Sequence, residues 1–493
     1  MLANVISLFV NISIGIFLVP YFISNVGIGV YAIIPLSMLF VEYVGLIGQS
    51  ICTAINRQFT IAIKDDSNRN KIFNTALFGM IIICIIQIVI FIYPIYTIDS
   101  YIDIGDANNS DVFLLFLCVF VAFVVSLITS VFSVPLYSNN RLDIIQYGNV
   151  LRVASRAISV VLLFNLTNVS LSLVGYATLL GSCLNFIYIF FNFRKYANGL
   201  VLSLRYFDPK EFKNMSSIGG WLIVNQVGFL LLSRFDIFLA NKLAGTRVSS
   251  DYAIIIQVSN LIRSCIGVFA GLMGPSMLLL YAQNKHDFLK DVTLLFMRFL
   301  SIVSVIPVVI FICFNEILLN YWLGSGYEYL NILSYILIVP LFVNTTVLPL
   351  FTINTAFNKV KIPGQMSIAF GIIYVLMSIY MYKYTGLGQY SIAVSSMLAI
   401  TLKNAFFTPI YTALIMKENV FYFLKVHLYG FLYFFCSMFF VFSIRDTLVN
   451  AFGDIWGLFI SIILLLIMIT LISISTLSNN DRSIIRRVFR KEL

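Results

Sequence analysis

Charge is what this sequence has least of. Only 11% of its 493 residues are charged and 60% are hydrophobic, whereas a soluble globular domain carries about 25% charged residues. A chain so poor in charge cannot cover a water-facing surface, and lipid is its expected solvent. Histidine is nearly missing: His286 and His427 are the only two, both near the ends of apolar runs. The cysteines Cys52, Cys84, Cys118, Cys183, Cys265, Cys313 and Cys436 all lie inside apolar runs, and none forms a C-x-x-C. They read as small buried hydrophobes, not as disulfides or metal ligands. Neither a metal site nor any other cofactor is expected. No G-x-x-x-x-G-K-S/T phosphate loop occurs. With both histidines peripheral, no Ser/His/Asp or Cys/His constellation can form at depth. No connection between apolar runs exceeds about 25 residues, which leaves no room for a catalytic domain.

What is present is a succession of long apolar runs. They lack the ten-residue alternation of an outer-membrane barrel, so the expected fold is an all-α integral membrane protein. Fourteen spans are predicted, near 2–24, 30–55, 74–96, 112–136, 147–166, 171–192, 217–241, 252–281, 292–314, 329–355, 366–383, 389–415, 424–444 and 455–477. Each has roughly the 20 residues that a bilayer core requires. The first run begins at Met1 without a basic n-region or an A-x-A cleavage site, so it reads as a retained span. The missing cytoplasmic lead places the expected native start upstream of Met1.

Basic residues set the orientation. Of the 31 Lys and Arg, 21 fall in alternate loops and the tail from 478, four in the opposite loops (Lys242, Arg247, Lys383, Arg445), and six inside spans. Both termini are therefore expected in the cytoplasm, which requires an even number of spans. The loop around 97–111 carries Asp99, Asp103, Asp106 and Asp111 with no basic residue, and is expected outside. The net charge of +10 is thus a topology signal. Scattered over seven cytoplasmic segments, it is no nucleic-acid footprint.

A weak internal repeat divides the chain. Phe22–Ile23–Ser24–Asn25, Gly27 and Tyr31–Ala32–Ile33 correspond to Phe238–Leu239–Ala240–Asn241, Gly245 and Tyr252–Ala253–Ile254. Each Gly suits a tight outer turn, and each Tyr suits the membrane interface. The expected organisation is an N-lobe of six helices (1–193), a cytoplasmic linker (194–216), a C-lobe of six helices in pseudo-twofold relation to the first (217–415), and two further helices with a basic tail (416–493). In parallel repeats a substrate site falls between the halves. Prolines at Pro20, Pro35, Pro135, Pro275, Pro307, Pro340, Pro349 and Pro409 are expected to bend helices.

Several motifs resemble the bacterial Wzx-type polysaccharide flippases. They are Val19–Pro20–Tyr21 with Gly27 and Tyr31; Gly220–Trp221 leading to Asp236, Gly245 and Tyr252; Tyr321–Trp322–Leu323–Gly324; and Gly386–Leu387–Gly388. Together they run over nearly the whole chain. That family belongs to the superfamily that also holds multidrug extruders and the lipid II flippase. The resemblance implies two six-helix lobes, alternating access, and an undecaprenyl-diphosphate-linked oligosaccharide (O-antigen or another surface-polysaccharide unit) as cargo. It also implies a polysaccharide polymerase and a chain-length regulator as partners, and the bacterial cytoplasmic membrane as location. Span one holds no Arg or Lys, a departure from the lipid II flippase pattern. A multidrug/cation antiporter is the alternative transporter, and an integral-membrane polymerase or glycosyltransferase the enzyme-class rival. The rival would present a large loop with clustered acidic residues or Arg.

Eight ionisable residues lie within the spans: Glu42, Arg152, Arg156, Arg234, Asp236, Arg263, Arg298 and Lys403. A charge at mid-bilayer costs at least about 2.5–3.5 kcal/mol. Arg298 and Arg152 are shallow enough to snorkel. Arg156, Arg263, Lys403 and Glu42 lie roughly 12–21 Å from either edge of their spans at ~1.5 Å per residue. Six cations against two carboxylates leave +4 inside the membrane, which an anionic cargo can neutralise. Arg152 and Arg156, four apart on one helix face, repel unless an anion bridges them, and a diphosphate meets that need. The expected cationic cavity is formed by Arg156, Arg263, Lys403 and Arg152. Glu42 and Asp236 are the coupling candidates, Glu42 as a buried carboxyl that can exchange a proton.

The topology is testable by cysteine labelling. Tags near Asp106 should react from outside and tags near Arg486 only from the cytoplasm; periplasmic labelling of the tail overturns the assignment.

Overall fold

A computed structural model describes residues 2–61, 66–139, 141–197, 200–476, 481–482 and 484. The basic residues Arg486, Arg487, Arg490 and Lys491 of the expected tail lie outside the described residues. The protein is all-helical, and no strand occurs among the described residues. Its main helices are α1 (Leu2–Val26), α2 (Ile33–Ile61), α3 (Asp66–Tyr96), α4 (Asn109–Ser138), α5 (Leu142–Leu166), α6 (Leu171–Tyr196) and α7 (Pro209–Ser233). They continue with α8 (Thr246–Ala282), α9 (His286–Cys313), α10 (Glu328–Ala356), α11 (Lys361–Tyr384), α12 (Tyr390–Ile415), α13 (Phe421–Phe452) and α14 (Asp454–Thr476).

Thirteen helices among the described residues are long and apolar enough to cross a membrane. The chain is a multi-pass membrane protein. The remaining predicted span, 217–241, falls on α7 and the short helix Asp236–Ala244; the side chains of 214–225 lie outside the described set. Helices fit this solvent because hydrocarbon offers backbone N–H and C=O groups no partner, and a helix pairs nearly all of them within itself. Several helices outrun the predicted spans, α2 to Ile61 and α8 to 37 residues. Hydropathy marks where lipid ends, whereas the hydrogen-bond ladder continues into water.

The chain forms two compact units, Met1–Ala253 and Ile254–Leu493, divided inside α8. In unit 1, an aromatic core joins α2, α3, α4 and α6: Phe132 meets Phe73, Phe190 and Phe193 at ring separations of 6.1, 5.3 and 5.0 Å. The predicted linker is docked along α3. Asn70 accepts from the Val201 N–H at 2.8 Å, and Asn74 donates to the Val201 carbonyl (2.8 Å) while accepting from the Ser203 N–H (2.9 Å). Lys71 pairs with Asp208 at 2.5 Å. Asp208 in turn caps α7 by accepting from the Lys210 N–H, with Pro209 at the first helical position.

Gly27 and Gly245 meet the expectation of tight turns. Both have positive φ, 83° and 90°, where a side chain is strained, and each N–H bonds the carbonyl four residues earlier. The repeat tyrosines need correction. Tyr31 and Tyr252 are buried, not placed at the lipid interface. The turns that carry them are held inside unit 1, where Ser250 Oγ accepts from the Ala32 N–H at 2.9 Å. Cys265 also departs from expectation: it is exposed, on a stretch of α8 where Ser264, Gly267, Val268 and Phe269 are exposed as well.

Beyond α3, the acidic loop is clasped to the start of α8. The Asp103 N–H donates to Asn241 Oδ1 (2.7 Å), and Asn241 Nδ2 donates back to the Asp103 carbonyl (2.8 Å). The Asp103 carboxylate accepts from the N–H groups of Gly105 (3.1 Å) and Thr246 (2.9 Å). These backbone donors, Gly105 first, hold its carboxyl below the ordinary carboxylate range. The clasp keeps the first turns of α8 with unit 1.

In unit 2, α9, α10 and α12 share a polar interior in which Ser304 meets Thr345 at 2.6 Å and Ser301 meets Thr346 at 3.0 Å. Helix α10 is interrupted at Val339–Pro340 and again at Val347.

A group with a depressed folded pKa stabilises above its unfolded value, about 3.9 for Asp, and its contribution vanishes as pH falls through the folded value. Wild type in detergent should therefore lose more thermal stability on acidification below about pH 4 than Asp103→Asn does. Asn241→Ala, which removes both amide bonds, should cost about 1–3 kcal/mol at neutral pH. Equal acid sensitivity of wild type and Asp103→Asn refutes the clasp's role.

Candidate anion-binding sites

The side chains of Arg152 and Arg156 both sit largely inside unit 1. Each Nε is buried without a hydrogen-bond partner, and neither residue makes an ion pair among the described residues. Small residues bring α6 close to this stretch. A Cβ on Gly181 would lie 2.6 Å from the Arg152 carbonyl oxygen, and one on Gly148 would lie 2.5 Å from Asn185 Oδ1. Such close approach is the usual device for packing membrane helices, and here it fixes the backbone that carries Arg152.

Beside Arg152 is a cavity of about 380 Å³ whose polar lining includes Ser126, Ser130, Thr178, Ser182 and Cys52. Ser126 and Thr178 donate to carbonyls four residues earlier in their own helices, at 2.9 and 2.7 Å, and Ser130 to the Leu127 carbonyl at 2.6 Å. A hydroxyl bonded this way can exchange its carbonyl for a better acceptor. The arrangement is a cation with neutral donors and, among the described residues, no counterion, which suits a phosphate oxygen. Sequence reasoning missed these hydroxyls. Their signal was the same spacing of four on one face, Ser126 with Ser130 and Thr178 with Ser182.

The other ionisable residues differ in their surroundings. Glu42 meets Arg234 at 3.8 Å, both about a third exposed. This pair stands at the break between α7 and Asp236–Ala244, where Phe235 packs edge-on against Tyr43 at 6.0 Å. Asp236 is 4% exposed in the first turn of that short helix, where the helix dipole favours a carboxylate. Arg298 does not snorkel. It pairs with Asp481 at 2.8 Å and lies over the Tyr429 ring at 4.1 Å, because the chain beyond α14 brings a carboxylate to it.

Two cations remain for unit 2. Arg263 Nε lies 3.4 Å from Ser259 Oγ, one turn earlier on α8. Lys403 makes no ion pair among the described residues; its Nζ sits 5.4 Å from the centre of the Phe351 ring. Lys403–Phe407 form a π-helical turn within α12, a local widening often found at functional sites. The Lys403 carbonyl closes the turn by accepting from the Thr408 N–H, and the Thr408 hydroxyl donates to the same carbonyl at 3.2 Å. His427, near the start of α13, is buried. Asn404 donates to Asn344 at 3.2 Å on the interrupted α10. A π turn facing a broken helix gives this position polar backbone and amide groups, the features that build sites in membrane transporters. Among the described residues no cluster of His, Cys, Asp or Glu is arranged to hold a metal ion.

No family model matches the chain. It is 25% identical over 423 residues to the "uncharacterized membrane protein EpsK" of Bacillus subtilis (strain 168), covering 85% of this chain and 84% of that protein. It is 22% identical over 372 residues to a "putative O-antigen transporter" of Shigella flexneri, covering 73% and 84%. Among solved structures, lipid II flippase MurJ in an inward closed conformation matches with a TM-score of 0.69 at 14% identity, over 96% of this chain and 97% of that one. An inward-facing multidrug resistance MATE family transporter of the MOP superfamily matches with a TM-score of 0.60 at 14% identity, over 83% and 96%. At these identities the structural likeness shows the fold, one shared with membrane transporters.

Lys403→Met separates a functional from a structural lysine. Removing one partner of a buried ion pair costs about 3–5 kcal/mol, whereas replacing an uncompensated charge by an apolar group is neutral or stabilising. The melting temperature of Lys403→Met should equal or exceed that of wild type. A clear drop shows a structural partner.

Proposed function

We propose that the protein is a Wzx-type flippase. It moves an undecaprenyl-diphosphate-linked oligosaccharide from the cytoplasmic to the outer leaflet of a bacterial cytoplasmic membrane, with both termini cytoplasmic and no chemical step of its own. The observation that carries this reading is the Arg152–Arg156 pair. Two arginines four apart, each with a buried Nε that has no hydrogen-bond partner among the described residues, the first of them lining a hydroxyl-rich cavity, call for a multivalent anion. The Shigella relative's name and the transporter fold agree with a membrane-embedded anionic cargo. The multidrug alternative has the same fold in its favour, but an arginine pair without carboxylates repels cationic drugs.

In this reading alternating access exposes the cations to each leaflet in turn. A lipid diphosphate carries about two negative charges, and an inside-negative potential favours its outward movement by roughly 2.3 kcal/mol per charge per 100 mV. Protein cations return over a full cycle and do not erase that force. Glu42 and Asp236 remain the coupling candidates of this reading, Glu42 through its contact with Arg234. A polymerase and a chain-length regulator would receive the exported units.

The test uses proteoliposomes with a fluorescent lipid-linked oligosaccharide and an imposed potential. Transport should follow the potential, and Arg152→Ala with Arg156→Ala should lower it at least tenfold, as loss of a charge-assisted contact worth about 1.5–3 kcal/mol requires. Arg156→Lys should keep part of the activity. Transport that ignores potential and ion gradients and runs on ATP alone sinks the mechanism. A wild-type rate in the double alanine variant sinks the site.

A further inference from the structure

A second cavity in unit 1, of about 620 Å³, lies between the ends of α3 and α4 and has Tyr96, Thr97, Asp99, Asn109, Ser110 and Phe113 in its lining. Its size falls in the range of small-molecule sites, roughly 300–1,000 Å³. It sits at the acidic loop, the end assigned to the outside.

The cavity has two kinds of wall. On one side Tyr96 and Phe113 stand edge to face, ring centres 6.0 Å apart and planes at 82°. Tyr96 is 73% exposed, so its ring is open to a ligand. On the other side Asn109 Nδ2 donates to Asp99 Oδ2 at 3.2 Å. Among the described residues, Asp99 Oδ1 and the Asn109 side-chain carbonyl take no hydrogen bond. The hydroxyls of Thr97 and Ser110 add to the rim. The floor is fixed, since Ile98 and Val112 are buried beneath it, and the Asp103 clasp holds the adjoining loop.

We propose that this cavity binds one sugar unit, neutral or amino-bearing, of the lipid-linked oligosaccharide on the outer side. The inference rests on the flippase reading and names a part of the cargo that the arginines do not address. A pyranose ring has an apolar C–H face that seeks an aromatic ring, and an edge of adjacent hydroxyls that seeks paired acceptors. Tyr96 supplies the first, and Asp99 with Asn109 the second. The charge selects among sugars. Residues 97–111 hold Asp99, Asp103, Asp106 and Asp111 and no Lys or Arg; Lys242 donates to the Ser100 carbonyl at 3.3 Å, and the four carboxylates outweigh this one ammonium, so a phosphate or a uronate is repelled and an ammonium is attracted. Unit 1 then treats the two ends of the cargo differently, with cations in the membrane for the phosphates and carboxylates at the outer mouth for the glycan.

The experiment is saturation-transfer NMR on the full chain in phosphatidylcholine nanodiscs. The probes are methyl glycosides of a neutral hexose, an N-acetylhexosamine, an aminohexose and a uronic acid. The expected result is transfer to at least one of the first three and none to the uronic acid. Tyr96→Ala with Asp99→Asn should cut the signal at least fivefold, while Tyr96→Phe keeps it. An unchanged melting temperature shows that the double variant is folded. No transfer to any sugar, equal transfer to the uronic acid, or a signal indifferent to the double substitution overturns the proposal, and the two rings are then an interfacial belt against lipid headgroups. The readout needs no transport. Sugar binding by a chain that fails to move cargo in proteoliposomes counts against the flippase reading and leaves the site standing; transport without sugar binding removes the site alone.

Discussion

A guanidinium in hydrocarbon must find an acceptor, and the different ways in which this chain meets that demand organise the rest of the structure. Arg298 is answered by Asp481 from beyond the last helix, and Arg234 by Glu42. Both solutions remove a cation from the pool available to a ligand. Among the described residues no carboxylate answers Arg152 or Arg156, and they stand on adjacent turns where each raises the cost of the other. A fold that neutralises other arginines with carboxylates yet, among the described residues, gives this pair none carries a cost of several kcal/mol, and in the proposed function a transient anion is the source of compensation.

The all-helical architecture was legible because one physical quantity, transfer into lipid, dominates each run of about 20 residues and needs no knowledge of neighbours. The glycine turns were legible for a similar reason: Gly27 and Gly245 satisfy a local backbone demand. What could not be read were the pairings. Glu42 with Arg234 and Arg298 with Asp481 join residues nearly two hundred positions apart in the chain, and periodicity within one helix says nothing of which faces meet. The depth argument therefore put Arg298 near the interface and left it to water. It also treated Tyr31 and Tyr252 as interfacial by residue type, whereas the contact between Ala32 and Ser250 buries their turns.

The π turn at Lys403–Phe407 was illegible for another reason. Nothing in Lys403–Asn404–Ala405–Phe406–Phe407 departs from ordinary helical preference. Pro409, just beyond the turn, has no N–H to give the Ala405 carbonyl four residues earlier, and the Lys403 carbonyl closes the turn by accepting from the Thr408 N–H and hydroxyl. The interruption of α10 was half visible, since Pro340 marks one break. The second, at Val347, has no proline of its own and precedes Pro349 by two residues. Irregular backbone in a membrane persists only where protein or water satisfies it. The amide contact of Asn344 with Asn404 shows that protein does so here.

Unit 1 places its acids and bases in separate environments, and this separation bears on the direction of transport. The carboxylates of the 97–111 loop lie at the ends of α3 and α4 in high dielectric, where salt screens them within about 10 Å. The arginines of α5 lie among apolar helices, where a charge acts over a longer range. In the proposed function an anion drawn from the inner leaflet would thus meet a strong attraction inside the protein and a weak, screened repulsion at the acidic loop. The repulsion cannot block exit, because counterions soften it; it does disfavour re-entry of a free diphosphate once the cargo has left the arginines. The asymmetry cannot power a cycle, since a fixed field returns to itself. It can bias which side the cargo leaves from, provided that the membrane potential supplies the net work.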